Sequence, residues 1–118
     1  MQGRPMISRR LTSRVPTPDG VWVLWTCHGR DDVARVHDIS TSGMFLETNV
    51  RMTVGWEIGL HFLVQEGQIR ANAGVCHLED QRGIGLKFTA VKTEDRPRLE
   101  ALIERFRNPS SSNGANGR

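Results

Sequence analysis

Two arginines four positions apart, Arg10 and Arg14, stand on a stretch of fourteen residues that carries no acid. Further along, Asp38, Ser40 and Gly43 fall within the run Asp38-Ile-Ser-Thr-Ser-Gly43. A guanidinium is a planar fork of N–H donors that fits phosphate oxygens or the O6 and N7 acceptors of guanine. A carboxylate accepts from a base N–H edge, a serine hydroxyl can donate or accept, and glycine lets backbone come close to a ligand. Donor forks from one segment and an acceptor from another suit an object with both kinds of edge. A guanine nucleotide is such an object.

The charge distribution points the same way. Residues 1–14 hold Arg4, Arg9, Arg10 and Arg14, whereas the rest of the chain sums to one net negative charge, so the overall +3 belongs to one N-terminal arm. Arginine outnumbers lysine 14 to 2, with Lys87 and Lys92 the two lysines, a bias toward bidentate recognition over point-charge attraction. Pro5, Pro16 and Pro18 keep the first twenty residues extended. Residues 1–20 therefore read as a basic, flexible arm.

Residues 21–107 must build what faces that arm. Alternating patterns predict strands over 21–28, 33–38, 44–48, 56–64, 69–75 and 83–89. In the first of these both faces are largely apolar, which predicts burial on both sides. Gln65 to Gln68 forms the turn of a hairpin. Leu99, Leu102, Ile103 and Phe106 then follow the 3.6 period of an amphipathic helix, with Asp95 as its N-cap and Pro97 in its first turn. Six closely spaced strands without intervening helices favour an all-β fold, a six-stranded antiparallel barrel with one C-terminal helix packed on it. Residues 108–118 have nothing to bury and read as a disordered tail.

With 118 residues, 37% apolar, the chain is one globular domain and neither collagenous nor disordered. No apolar run is long enough to span a bilayer, and the N-terminus lacks the apolar segment of a signal peptide. A cytoplasmic location is expected, with Cys27 and Cys76 as thiols. The pairs Cys27-His28 and Cys76-His77 do not make a metal site, since strand neighbours point to opposite faces. The same alternation separates His37 from Asp38, and no nucleophile or carboxylate pair is placed for catalysis, so no enzyme activity and no cofactor are expected. The aromatic residues Trp22, Trp25, Trp56, Phe45, Phe62 and Phe88 read as core.

The order Arg10-x-x-x-Arg14, then Asp38-x-Ser40-x-x-Gly43, resembles the PilZ domain, the bacterial receptor module for cyclic di-GMP, whose hallmark is RxxxR followed by [D/N]xSxxG. All five positions match, and Gly83-Ile-Gly-Leu-Lys-Phe88 is similar to a later strand of that family. The resemblance covers residues 8–106 and implies a six-stranded barrel followed by a helix, the architecture the periodicity reaches by itself. It further implies that Arg10 and Arg14 clamp guanine and phosphate, that Asp38 and Ser40 bond the ligand from the barrel, and that Gly43 keeps the turn open. Arg9 is a second-tier candidate for contacting a second ligand molecule. In such proteins the arm wraps the ligand and a changed surface signals to a protein partner. Two other functions fit parts of the pattern: a barrel that binds only protein partners, and a small barrel that binds single-stranded nucleic acid, which the near-neutral barrel disfavours.

Overall fold

The structure, a computed structural model, describes residues 13–18 and 20–108. Seven strands and one α-helix make up the fold: β1 (Val15–Pro16), β2 (Trp22–Cys27), β3 (Arg30–Ile39), β4 (Gly43–Glu47), β5 (Glu57–Val64), β6 (Gly67–Glu79), β7 (Gly83–Val91) and α1 (Arg96–Arg107), the last preceded by a short 3-10 turn, Thr93–Asp95. All pairings are antiparallel, in the order β1-β3-β2-β5-β6-β7-β4, and β3 also pairs with β4. That last pairing closes β2 to β7 into a six-stranded barrel, which leaves no free sheet edge around its girth. The expected fold is present, with β1 as an extra strand.

Local chemistry explains the hairpins. β2 turns into β3 through His28 and Gly29, both at positive φ (51° and 78°), the conformation that a two-residue hairpin loop needs to match strand twist. β3 therefore begins at Arg30, earlier than the pattern suggested. β6 runs to Glu79, four residues past its expected end, because the register slips between Val75 and His77. This bulge breaks the period of two by which a strand is recognised.

One buried cluster fills the barrel and takes in the helix stripe: Trp25, Phe62, Ile58, Ile69 and Leu86 pack with Leu99, Leu102, Ile103 and Phe106. Trp56 and Phe88 are half-buried against it. β2 is not buried on both faces. Val23, Trp25 and Cys27 point inward, while Trp22 and Leu24 are 52% and 39% exposed, beside Val33 at 55%. The single helix lies against β1 and β6 and leaves the outer face of β2 uncovered. Trp22 is thus a surface residue and not part of the core.

Charged groups fix the helix. Asp95 occupies the N-cap position but caps nothing with its side chain. Its fully buried carboxylate accepts from the Arg70 backbone N–H and Nε, each at 2.9 Å, and from Arg98 Nη1 at 2.7 Å. Hydrogen bonding from Arg70 holds the Asp95 carboxyl below the usual carboxylate range, against the opposing effect of burial. At the other end of the helix Arg105 grips Glu66 of the β5–β6 turn with two bonds, at 2.6 and 3.0 Å. Among the described residues no helix is long and apolar enough to cross a membrane.

A group whose acidity is strengthened on folding contributes stability above its unfolded pKa and loses it as pH falls through the folded value. Asp95→Asn should therefore lower the thermal midpoint at neutral pH, and the gap to the unmodified protein should begin to narrow as pH falls through about 4 and close only below the lowered folded value, where both side chains are neutral. Thermal unfolding followed by circular dichroism across that range tests this. Leu102→Ala, which opens a cavity under the helix, should cost about 3 kcal/mol at any pH.

Candidate functional site

Among the described strands, ten-residue β3 alone serves three neighbours. Residues Arg30 to Arg35 pair with β2, Arg35 to Ile39 pair with β4, and Ile39 and Asp38 also pair with Val15 and Pro16 of β1. The β1 register sets Pro16 opposite Asp38, and Arg14, two residues earlier, reaches diagonally to it, its Nη1 donating to Asp38 Oδ1 at 2.7 Å. Thr17 locks the same segment, its N–H donating to His37 O at 3.1 Å and its hydroxyl to Val36 O. The two sequence signals, 24 residues apart, thus meet through one ion pair.

That ion pair is partly exposed, with 44% of the Arg14 and 21% of the Asp38 side chain accessible. Such pairs contribute on the order of 0–1 kcal/mol. Asp38 is therefore held by a contact weak enough to be rearranged by a competing donor. Arg9 and Arg10 lie outside the described residues.

Ser40 and Gly43 shape the β3–β4 turn. The Ser40 side chain is fully buried, and its Oγ accepts from the backbone N–H of Ser42 at 3.1 Å and of Gly43 at 3.3 Å. Its own N–H donates to Gly43 O at 2.8 Å. This is the turn geometry in which serine replaces a backbone acceptor. Gly43 has no left-handed backbone. Its role is space: a Cβ there would lie 2.1 Å from Leu86 O of β7, so only glycine lets the two strands approach.

The structure also brings in a residue that alternation had excluded. The β3–β4 register slips between Val36 and Asp38, so His37 is an extra residue in the ladder. His37 and Asp38 both reach the outer surface, where His37 Nδ1 lies 2.8 Å from Asp38 Oδ2. An ionised carboxylate only accepts, so the imidazole is the donor. The His37 ring meets Phe45 edge-on at 5.8 Å, and the far side of Phe45 meets His77 at 6.1 Å. Phe45, only 6% exposed, sits outside the main core cluster, under this pair of imidazoles. Gly85 leaves room for His77, whose ring would lie 2.1 Å from a Cβ at that position. Beside the row is a depression of about 240 Å³ lined by His37, Phe45, Glu47, Gln81 and Arg82. A larger cavity of about 380 Å³, between residues 48–52 and the β6–β7 turn, contains neither motif.

The bulge at Cys76 similarly leaves Cys76 and His77 both exposed, so strict alternation does not separate them. Cys27 is buried, and burial pushes its thiol pKa up. Among the described residues no three His, Cys, Asp or Glu side chains cluster as a metal site would require.

A family model described as PilZ domain matches residues 7–105. No curated protein matches the sequence. The fold is similar to the solved structure described as the PilZ domain with c-di-GMP of YcgR from Escherichia coli, at 16% identity and a TM-score of 0.67, covering 87% of this chain and 95% of that one. It is also similar to the inhibitor of motility MotI/DgrA of Bacillus subtilis, at 17% identity and TM-score 0.66, covering 79% of this chain and 49% of that one. The MrkH–c-di-GMP complex of K. pneumonia gives 17% identity and TM-score 0.66, over 82% and 51% of the two chains. This chain thus spans about half the length of MotI/DgrA and MrkH.

Gly43→Ala should separate β4 from β7 and destabilise the barrel by about 3 kcal/mol. Urea unfolding measures it. An unchanged midpoint would show that the two strands do not need the glycine to approach.

Proposed function

The chain belongs to the PilZ domain family, and on that premise we propose that it is a non-catalytic receptor for cyclic di-GMP. The observation that carries this reading is the contact between Arg14 and Asp38, which joins the arm motif to the barrel motif at one point on the outer surface. Arg14 supplies N–H donors for a phosphate or for the guanine O6/N7 edge, and Asp38 accepts from guanine's N–H edge. Arg10 adds a second fork from the arm, and Arg9 reaches a second ligand molecule where one is bound. Ser40 and Gly43 act by holding the turn that sets the position of Asp38.

The weakness of the Arg14–Asp38 pair supports a switch. Cyclic di-GMP offers each partner a replacement: phosphate and guanine acceptors for Arg14, guanine donors for Asp38. Binding exchanges one ion pair for several charge-assisted bonds and reorganises residues 1–20 around the ligand over the barrel of residues 21–107. The surface so changed is what a downstream protein partner reads. The match of the family model, and the c-di-GMP named for the E. coli and K. pneumonia structures of similar fold, support the choice of ligand.

Titration calorimetry with cyclic di-GMP tests the reading. The unmodified protein should bind it in preference to GMP and GTP and ignore single-stranded oligonucleotides. Arg10→Ala, Arg14→Ala and Asp38→Ala should each weaken binding roughly ten- to a hundredfold, about 1–3 kcal/mol. No heat from the folded, unmodified protein would sink the proposal. Salt-sensitive oligonucleotide binding would favour a nucleic-acid barrel instead.

A further inference from the structure

We propose that His37 is a further ligand-contacting residue of this site, one that reads guanine through its Nε2 and makes recognition sensitive to pH. The inference rests on the receptor reading above and extends it to a residue outside both motifs. Its foundation is the bulge in β3. In regular alternation His37 would face away from Asp38; with the ladder slipped by one residue, both side chains share the outer surface.

Two contacts orient the imidazole and a third fixes its backbone. Nδ1 is spent on Asp38 Oδ2 at 2.8 Å, the ring stands edge-on to Phe45 at an interplanar angle of 79°, and the backbone carbonyl accepts from Thr17 N–H at 3.1 Å. Nearly half of the side chain, 45%, is exposed. The ring also lines the depression with Glu47, Gln81 and Arg82, beside Asp38. With Nδ1–H committed to the carboxylate, a neutral imidazole presents a lone pair at Nε2.

Guanine's Watson–Crick edge carries donors at N1 and N2, more than one acceptor atom can satisfy. Asp38 keeps Oδ2 on His37, and Oδ1, released when the ligand displaces Arg14, accepts one guanine donor. The neutral Nε2, on the side of the ring away from Asp38, adds a second acceptor, open to the N–H edge of the ligand's other guanine. Adenine sets an acceptor, N1, on that edge and has only its N6–H group to offer, so it gains less from Nε2 than guanine does. Protonation leaves the Nδ1–H bond to Asp38 in place and converts only Nε2, from acceptor to donor. A donor set against guanine N–H groups is repulsive, so the neutral form is the binding form and affinity falls on acidification.

Among the described residues the charged and titratable groups around His37 are few. On its own strand there is Asp38, which faces Arg14 ahead of β1. On β4 there is Glu47, bonded to Arg35 of β3 at 2.5 Å. From the β6–β7 side come Arg82 and Glu79, which pair at 3.1 Å, and His77 across the Phe45 ring. His37 and His77 are the imidazoles of this set.

The experiment is calorimetric titration of the full chain with cyclic di-GMP and cyclic di-AMP at about pH 7.5 and about pH 5.5, spanning the imidazole range. The unmodified protein should bind the guanine ligand about tenfold more weakly at the lower pH, the worth of one well-placed hydrogen bond. His37→Gln, which keeps a neutral acceptor that cannot titrate, should bind well at both pH values. His37→Phe should bind about tenfold more weakly at the higher pH, lose the pH response and discriminate less between the two ligands. His77→Gln should keep the response.

Affinity that is flat or rises on acidification overturns the inference. So does a wild-type pH slope in either His37 variant, loss of the slope in His77→Gln, or equal loss of binding in His37→Gln and His37→Phe. Absence of binding by the unmodified protein at both pH values overturns the receptor reading itself, so the two failures are distinct.

Discussion

Closure of the barrel through β3 is the constraint on which the rest of the molecule depends. A sheet of β2, β5, β6, β7 and β4 ends in two edges, and one ten-residue strand pairs with both. To do so it must change partners along its length, from β2 in its first half to β4 in its second, and it slips register at His37 in the process. Bulges raise local twist and re-aim side chains. The same slip that lets the barrel close therefore turns His37 and Asp38 together onto the outer surface. Past the end of β2, the edge of β3 is open for Val15 and Pro16, and this pairing brings Arg14 to the carboxylate.

The molecule divides sharply between what is held firmly and what is held loosely. The helix is anchored by a buried apolar stripe, by Asp95 with Arg70 and Arg98, and by the two-bond grip of Arg105 on Glu66. Each buried large side chain contributes about 1.5–3 kcal/mol, so four in the stripe outweigh any surface contact. β1, by contrast, is two residues long and continues into an exposed ion pair. A ligand can compete with the second set without disturbing the first. The helix also lies against β1, so the rigid part of the fold supports the point where the arm departs.

Where the period stays unbroken, the sequence reads directly into structure. Ile58, Leu60 and Phe62 point inward along β5, and Leu99, Leu102, Ile103 and Phe106 form the buried face of α1, because side-chain direction along regular elements follows from spacing alone. The reading loses its grip at features set by other strands. Nothing between Val36 and Asp38 announces a bulge, since the slip exists only relative to β4. Trp22 and Leu24 have the composition of a core strand, but burial needs a covering layer and this fold has one helix, placed elsewhere. Asp95 has the type and place of a cap, yet two arginines from β6 and α1 offered its carboxylate better bonds.

By itself the sequence determined the six barrel strands and the helix, the segregation of positive charge onto an arm, and the five residues of the two motifs, because composition and periodicity are properties of neighbouring positions. Only the tertiary structure decided that Arg14 meets Asp38, that Gly43 serves close strand approach and not a left-handed turn, that Ser40 is enclosed within its turn, and that His37 joins the surface. Each of these depends on a partner strand many residues away. Register between strands is fixed by the closing of the whole barrel, and no local pattern records it.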